Sequence, residues 1–264
     1  MASDRAPEAP PPLSGAEPDS ASPDATNPDP AAIDRYKDAA ARAAAELVSD
    51  GMALGLGTGS TVAHLLRALG ERAGRLSGTR CVATSPATAR IATELGLRVC
   101  ELDEVGELDL AIDGADQVDP ECWLIKGGGG AHTREKIVAA AAARFVVIVS
   151  AEKLVTRLGP PVALEVLRFG VQRTLAAVEG DARLRANGDG GGGEAGDAHA
   201  AASPDGNLIA DYHGPVEDPR ALAARLSETP GVVEHGLFAP NLVSEIFVAG
   251  ADGVRRRAGG KPAA

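Results

Sequence analysis

Four polar or glycine-rich stretches carry the residues that could do chemistry. Asp113-Gly114-Ala115-Asp116 sets two carboxylates three residues apart. Such a pair either builds a turn and caps a helix, or orients sugar hydroxyls and moves protons between oxygens. Lys126-Gly127-Gly128-Gly129-Gly130 carries a large entropic cost. It is a flexible linker, or a place where backbone approaches something closely or takes positive φ. Thr133-Arg134-Glu135-Lys136 follows within ten residues and puts Glu135 in the first turn of a predicted helix. There the helix dipole favours a carboxylate, and a proton-transfer base could also face the loop edge. Gly57-Thr58-Gly59-Ser60-Thr61 is a glycine turn entering a helix, either a structural turn or a cradle whose N–H groups and hydroxyls suit a phosphate. It fits neither the dinucleotide fingerprint, which would need glycine at Ser60, nor the P-loop, which needs a lysine before the Ser-Thr pair. Lys153, in Ser150-Ala151-Glu152-Lys153, is a solvated lysine or a phosphate partner.

These stretches need elements to aim them, and the pattern alternates helix and strand. Helices are predicted over 34–48, 61–73, 86–95 and 132–142, and buried strands over 52–56, 80–84, 108–112 and 145–149. The apolar run Trp123-Leu124-Ile125 adds a short strand. Strands separated by helices of this length imply a parallel sheet covered on both faces. Each of the four stretches then follows a strand, so all four should lie along one edge, beyond the strands' carboxyl ends, where open α/β folds bind ligands. From Ala163 the pieces shorten: a strand near Glu165, a helix to about 179, a strand over 207–212, a helix over 218–228 and a strand over 242–249. The expected fold is therefore α/β, a Rossmann-like parallel sheet with helices on both faces plus a smaller α+β subdomain. The main domain is placed at 33–162, with 236–254 a candidate to rejoin it, and the smaller one at 163–235.

Composition bounds the rest. The chain has 264 residues and a net charge of −11, which argues against a dedicated DNA or RNA binder. Residues 1–32 hold six acids, one arginine and eight prolines, and read as a disordered tail. Residues 187–202, with four glycines in succession, read as a surface loop or insertion, and the arginine-rich 255–264 as a flexible basic tail. No apolar window is long enough for a membrane span, and the start lacks a secretory signal pattern. Three scattered cysteines without C-x-x-C, and five histidines without H-x-x-x-H, give no disulfide framework or metal motif and fit a reducing cytoplasm.

The pieces GLGTGST (55–61), AIDGADQVD (111–119), LIKGGGGAHTREK (124–136) and FVVIVSAEKLV (145–155), in this order, resemble the type A ribose-5-phosphate isomerase family. Weaker similarity extends the match to about residues 33–254. The resemblance implies an aldose–ketose isomerase of the non-oxidative pentose phosphate pathway, interconverting D-ribose 5-phosphate and D-ribulose 5-phosphate through an enediolate. It implies Glu135 as catalytic base, with Asp113, Asp116 and Lys126 around the reacting end of the sugar. Thr58, Gly59, Ser60, Thr61, Lys153 and Lys37 are implied at the phosphate end, with Gly114, Ala115, Gly127, Gly128 and Gly129 lining the substrate. It further implies no metal or organic cofactor, a homodimer or homotetramer, and no nucleic-acid or membrane partner. Gln117 stands where the family commonly has Glu, and His132 where it has an aliphatic residue. Two other classes compete: a sugar-phosphate sensor, which would need a helix-turn-helix domain, and a nucleotide-dependent oxidoreductase, weakened by the failed fingerprint.

Overall fold

The structure is a computed structural model that describes residues 29–179, 181–187 and 200–261. Most of the acidic N-terminal segment (residues 1–28) and most of the glycine-rich insertion (188–199) lie outside the described residues. Residues 29–32, assigned from sequence to the tail, instead begin the first helix. Asp29 accepts a hydrogen bond from Ala31 N and Pro30 occupies the first helical position. Aspartate followed by proline is a strong helix start, because the cap satisfies an orphan N–H and proline lacks one.

The chain runs through α1 (Pro30–Ala45), β1 (Ala53–Leu56), α2 (Ser60–Gly70), β2 (Arg80–Ala83), α3 (Pro86–Glu94), β3 (Arg98–Val99), α4 (Leu102–Val105) and β4 (Leu108–Asp113). It continues with β5 (Gln117–Val118), β6 (Leu124–Ile125), α5 (His132–Ala141), β7 (Ala142–Ser150), β8 (Val162–Val166), α6 (Val171–Ala177) and β9 (Ala182–Leu184). It ends with β10 (Leu208–Tyr212), α7 (Pro219–Glu228), β11 (Val232–His235), β12 (Leu237–Phe238), β13 (Glu245–Gly250) and β14 (Gly253–Ala258). The seven-stranded main sheet has the order β14-β13-β7-β4-β1-β2-β3. All its pairings are parallel except β13 with β14.

Strand alternation sends side chains to two separate cores. Val146 and Ile148 of β7 join Leu110, Ile112 and Phe247 under α1, α2 and α3. Phe145, Val147 and Val149 face the other way, against Val138 and Ala139 of α5. With few aromatics available, α1 packs through Ala40, Ala41, Ala44 and Ala45, all fully buried. A four-stranded antiparallel sheet, β11-β8-β10-β9, forms the smaller α+β unit with its own core around Leu164, Tyr212, Leu222 and Leu226.

Two expectations change. The run 123–125 does not enter the parallel sheet: β6 pairs antiparallel with β5 and β12 in a separate three-stranded sheet. Of the stretch read as a flexible basic tail, 255–258 instead belongs to the edge strand β14. Arg256 stacks over the Phe247 ring at 4.6 Å, and Arg257 donates to the carbonyl of Asp119 at 3.2 Å and to that of Pro120. Charged side chains on an edge strand guard its open hydrogen-bonding groups while their stems pack, so composition alone reads as a tail.

Candidate active site

At the carboxyl ends of β1 and β4, a cleft of about 240 Å³ opens between the main sheet and the glycine loop. It is lined by every residue that the resemblance placed at the substrate except Asp113, which is buried beside it. Each side chain has a structural reason to be there.

Gly57 leaves β1 and passes directly over Asp113. A Cβ at Gly57 would sit 1.9 Å from the Asp113 carboxyl carbon, so only glycine fits. This close passage lets Thr58 N donate to Asp113 Oδ1 at 3.1 Å, joined by Gly114 N at 2.7 Å. Gly59, at φ +123, turns the chain into α2, whose first turn presents Ser60 and Thr61 to the cleft. Lys37 reaches across from α1 and donates to Ser60 Oγ at 3.0 Å. Thr58 differs from expectation in one respect. Its hydroxyl is bonded to Thr84 Oγ1 at 2.7 Å, which directs that group into a buried hydroxyl chain.

The inner end of the cleft is built around a buried ammonium. Lys126 Nζ lies 2.9 Å from Asp113 Oδ2 and 3.1 Å from Glu135 Oε2, and donates to Gly114 O at 2.6 Å. All three charged side chains are 3–4 % exposed. Burial alone would pull the Lys126 ammonium down, but the adjacent Asp113 and Glu135 carboxylates hold it above the usual lysine range. Burial raises Asp113, opposed by Lys126 and by the Gly114 and Thr58 N–H groups. Glu135 has fewer donors. Burial first, then repulsion from Asp113, push it up to about 8 despite Lys126. Two carboxylates sharing one ammonium leave an excess negative charge, so the pair titrates as a unit and both members are raised by burial. Asp116 is held apart from this pair, accepting from Gly128 N at 2.9 Å. Lys153 also borders the cleft, from the turn after β7.

Comparison with known proteins then decides the family. The model of "Ribose 5-phosphate isomerase A (phosphoriboisomerase A)" matches residues 80–253. A relative from Roseiflexus castenholzii, "Ribose-5-phosphate isomerase A", is 48% identical over 230 residues, spanning 83% of this chain and 93% of the relative. The chain belongs to the ribose 5-phosphate isomerase A family. Among solved structures, ribose 5-phosphate isomerase A of Methanocaldococcus jannaschii matches with a TM-score of 0.77 at 35% identity, over 85% of this chain and 98% of that one. A D-ribose-5-phosphate isomerase in complex with phospho-erythronic acid also gives a TM-score of 0.77, at 34% identity over 86% of this chain and 99% of that one.

The two departures from the type A isomerase pattern lie outside the Asp113–Lys126–Glu135 cluster. Gln117 exchanges two hydrogen bonds with the backbone of Gly159, at 2.9 and 2.8 Å, and so ties down the approach to β8. His132 is fully buried, and burial lowers its pKa to about 4, so it remains neutral where the isomerase would work. Its ring packs against Gly127: a Cβ there would be 2.9 Å from His132 Nδ1 and 2.6 Å from Ala163 Cβ. Gly127, at φ +104, is thus required by space as well as conformation. Sequence reasoning missed Thr84, Thr88, Phe238 and Arg185. Phe238 presents its ring to both Lys126 and Lys136, at 5.5 and 5.0 Å, from a strand more than a hundred residues downstream.

Proposed function

We propose that the chain interconverts D-ribose 5-phosphate and D-ribulose 5-phosphate, with Glu135 as the base for both carbon proton transfers. The observation that carries this reading is the buried Asp113–Lys126–Glu135 cluster at the inner end of a polar cleft. In the open-chain aldose, the Glu135 carboxylate takes the proton from C2. The C2–H electron pair forms the C1–C2 double bond, and the carbonyl pair moves onto O1. The resulting cis-enediolate is stabilised by the Lys126 ammonium, a preorganised charge in a site of low dielectric. Glu135, now protonated, returns the proton to C1. Asp113 passes the O2 proton to O1, which leaves a ketone at C2 and a hydroxyl at C1. One carboxylate over one face suffices for both carbon transfers.

The other end of the cleft suits a phosphate. The eleven-residue helix α2 begins there with Ser60 and Thr61, and Lys37 and Lys153 add positive charge. A dianion is repelled by a chain of net charge −11, so these local cations set its affinity. Lys153→Ala is expected to raise KM for ribose 5-phosphate by about tenfold with a small change in kcat, and the effect should shrink at high salt. Steady-state kinetics at two ionic strengths checks this; an unchanged KM would remove Lys153 from the phosphate site.

A homodimer or homotetramer in the cytoplasm completes the reading. Phe169 is 93% exposed and Leu167 beside it 45%, apolar surface of the kind a second copy covers. Cys81, Cys100 and Cys122 are free thiols, as expected of a reducing compartment. The deciding experiment is to add ribose 5-phosphate to the purified chain without any cofactor and follow ketose formation. Binding without turnover would favour a sensor, and dependence on a nicotinamide cofactor would favour an oxidoreductase.

A further inference from the structure

Arg185 belongs to the smaller α+β unit, yet its side chain ends on the glycine loop of the cleft. Its Nη1 donates to Gly127 O at 2.9 Å and to Gly128 O at 3.0 Å. The rest of the guanidinium is occupied by Asp211 of β10. Nε donates to Oδ2 at 2.9 Å and Nη2 to Oδ1 at 2.5 Å. The backbone of Arg185 is fixed on both sides as well, donating to Ile209 O at 2.8 Å and accepting from Ala201 N at 2.7 Å. A planar fork anchored at both ends holds two successive carbonyls in one direction, which a flexible point charge could not do.

The consequence follows from peptide planarity. In a trans peptide the N–H points opposite to the C=O. With Gly127 O turned toward Arg185, the Gly128 N–H points the other way and donates to Asp116 Oδ2. With Gly128 O also turned toward Arg185, the Gly129 N–H must face away from the small unit. On that side lies Thr58, whose Cγ2 is 3.6 Å from where a Cβ on Gly129 would be, and both residues line the cleft. The Gly129 N–H has no hydrogen-bond acceptor among the described residues. Four glycines in succession would otherwise sample many orientations of these two peptides.

We propose that Arg185, braced by Asp211, is a positioning residue for the isomerase reaction: it fixes the 127–129 peptides so that the Gly129 N–H serves the substrate's developing negative oxygen and the Gly128 N–H aims Asp116. The smaller unit thereby takes part in catalysis through backbone orientation. The assignment rests on the isomerase reading above, which wild-type turnover of ribose 5-phosphate tests separately.

Arg185→Lys keeps a cation beside Asp211 but cannot hold that carboxylate and both carbonyls together. It is expected to lower kcat by about 10–100-fold, a fraction of what losing an oxyanion donor outright costs, with KM within about threefold of wild type. Binding of phospho-erythronic acid, whose carboxylate mimics the two enediolate oxygens, should weaken in step with kcat by calorimetry. Binding of inorganic phosphate should not change. Asp211→Asn keeps the guanidinium but loosens it, and should show the same pattern at about 3–10-fold. It carries the test if Arg185→Lys does not fold. Wild-type kcat in the folded variants would overturn the proposal. So would equal losses of phospho-erythronic acid and phosphate binding, since general damage would then explain the result.

Discussion

Glu135→Gln is expected to lower kcat by roughly 10³–10⁴-fold while the protein stays folded, because it removes the group proposed to carry both carbon proton transfers. Glutamine preserves shape, and the cleft beside it is polar enough to accept an amide. The diagnostic readout is exchange of the transferred hydrogen with solvent deuterium, followed by NMR, which should disappear together with turnover. A variant within tenfold of wild type would sink the assignment of Glu135 as base. The wild-type pH profile tests the same carboxylate independently. Burial and the Asp113 charge put the Glu135 pKa at about 8, and the active form is the carboxylate. kcat/KM should therefore rise about tenfold per pH unit on the acid side and level off near pH 8. Stability carries the opposite sign. A carboxyl group raised above its ordinary 4.5 favours the folded state when protonated, so its ionisation costs native stability as pH climbs from 4.5 toward 8. Glu135→Gln escapes that loss, and its stability relative to wild type should improve across the same window.

Motifs of this kind were legible from sequence because their geometry is local. Asp113 and Gly114 sit where a strand ends, Glu135 within the first helical turn, and Ser60 at a helix start, so element prediction alone nearly places them. The parallel sheet was legible for the same reason, through apolar strand runs separated by helices. What escaped depends on distant partners. Trp123–Ile125 looks like any short strand, and only its partner Leu237–Phe238 keeps it out of the main sheet. Arg256 and Arg257 read as a tail until Phe247 and the Asp119–Pro120 turn are set beside them. Arg185 meets the glycine loop across nearly sixty residues of sequence, and nothing in the run around it signals that contact. The clustered carboxylates and their lysine were readable, whereas the side chain that holds the glycine loop was not.

Lys126→Met is expected to impair folding stability and activity together, with the stability loss growing as pH rises. The wild-type ammonium neutralises Asp113 and Glu135 inside a region where all three are nearly inaccessible. Methionine fills the stem's volume but leaves two carboxylates facing each other without a cation. Breaking a buried ion pair from one side costs about 3–5 kcal/mol when the remaining charge cannot be neutralised. Here it can be, by protonation, and the sign follows from that. At pH 5 both carboxyl groups, already raised by burial and raised further without Lys126, take up protons, so the deficit is small. Above pH 8 the folded variant must keep its carboxyl groups neutral or bear their repulsion, while the unfolded chain ionises freely. The deficit then approaches the full value. In wild type, the raised Lys126 keeps its stabilising contribution throughout this range, because it is lost only as pH passes the elevated lysine pKa. Urea unfolding at pH 5 and pH 8.5 separates the cases. A deficit equal at both would mean that Lys126 acts through packing, and its charge would then have no part in holding the site together. Turnover should fall at least 100-fold at either pH, since the proposed enediolate loses the buried Lys126 ammonium.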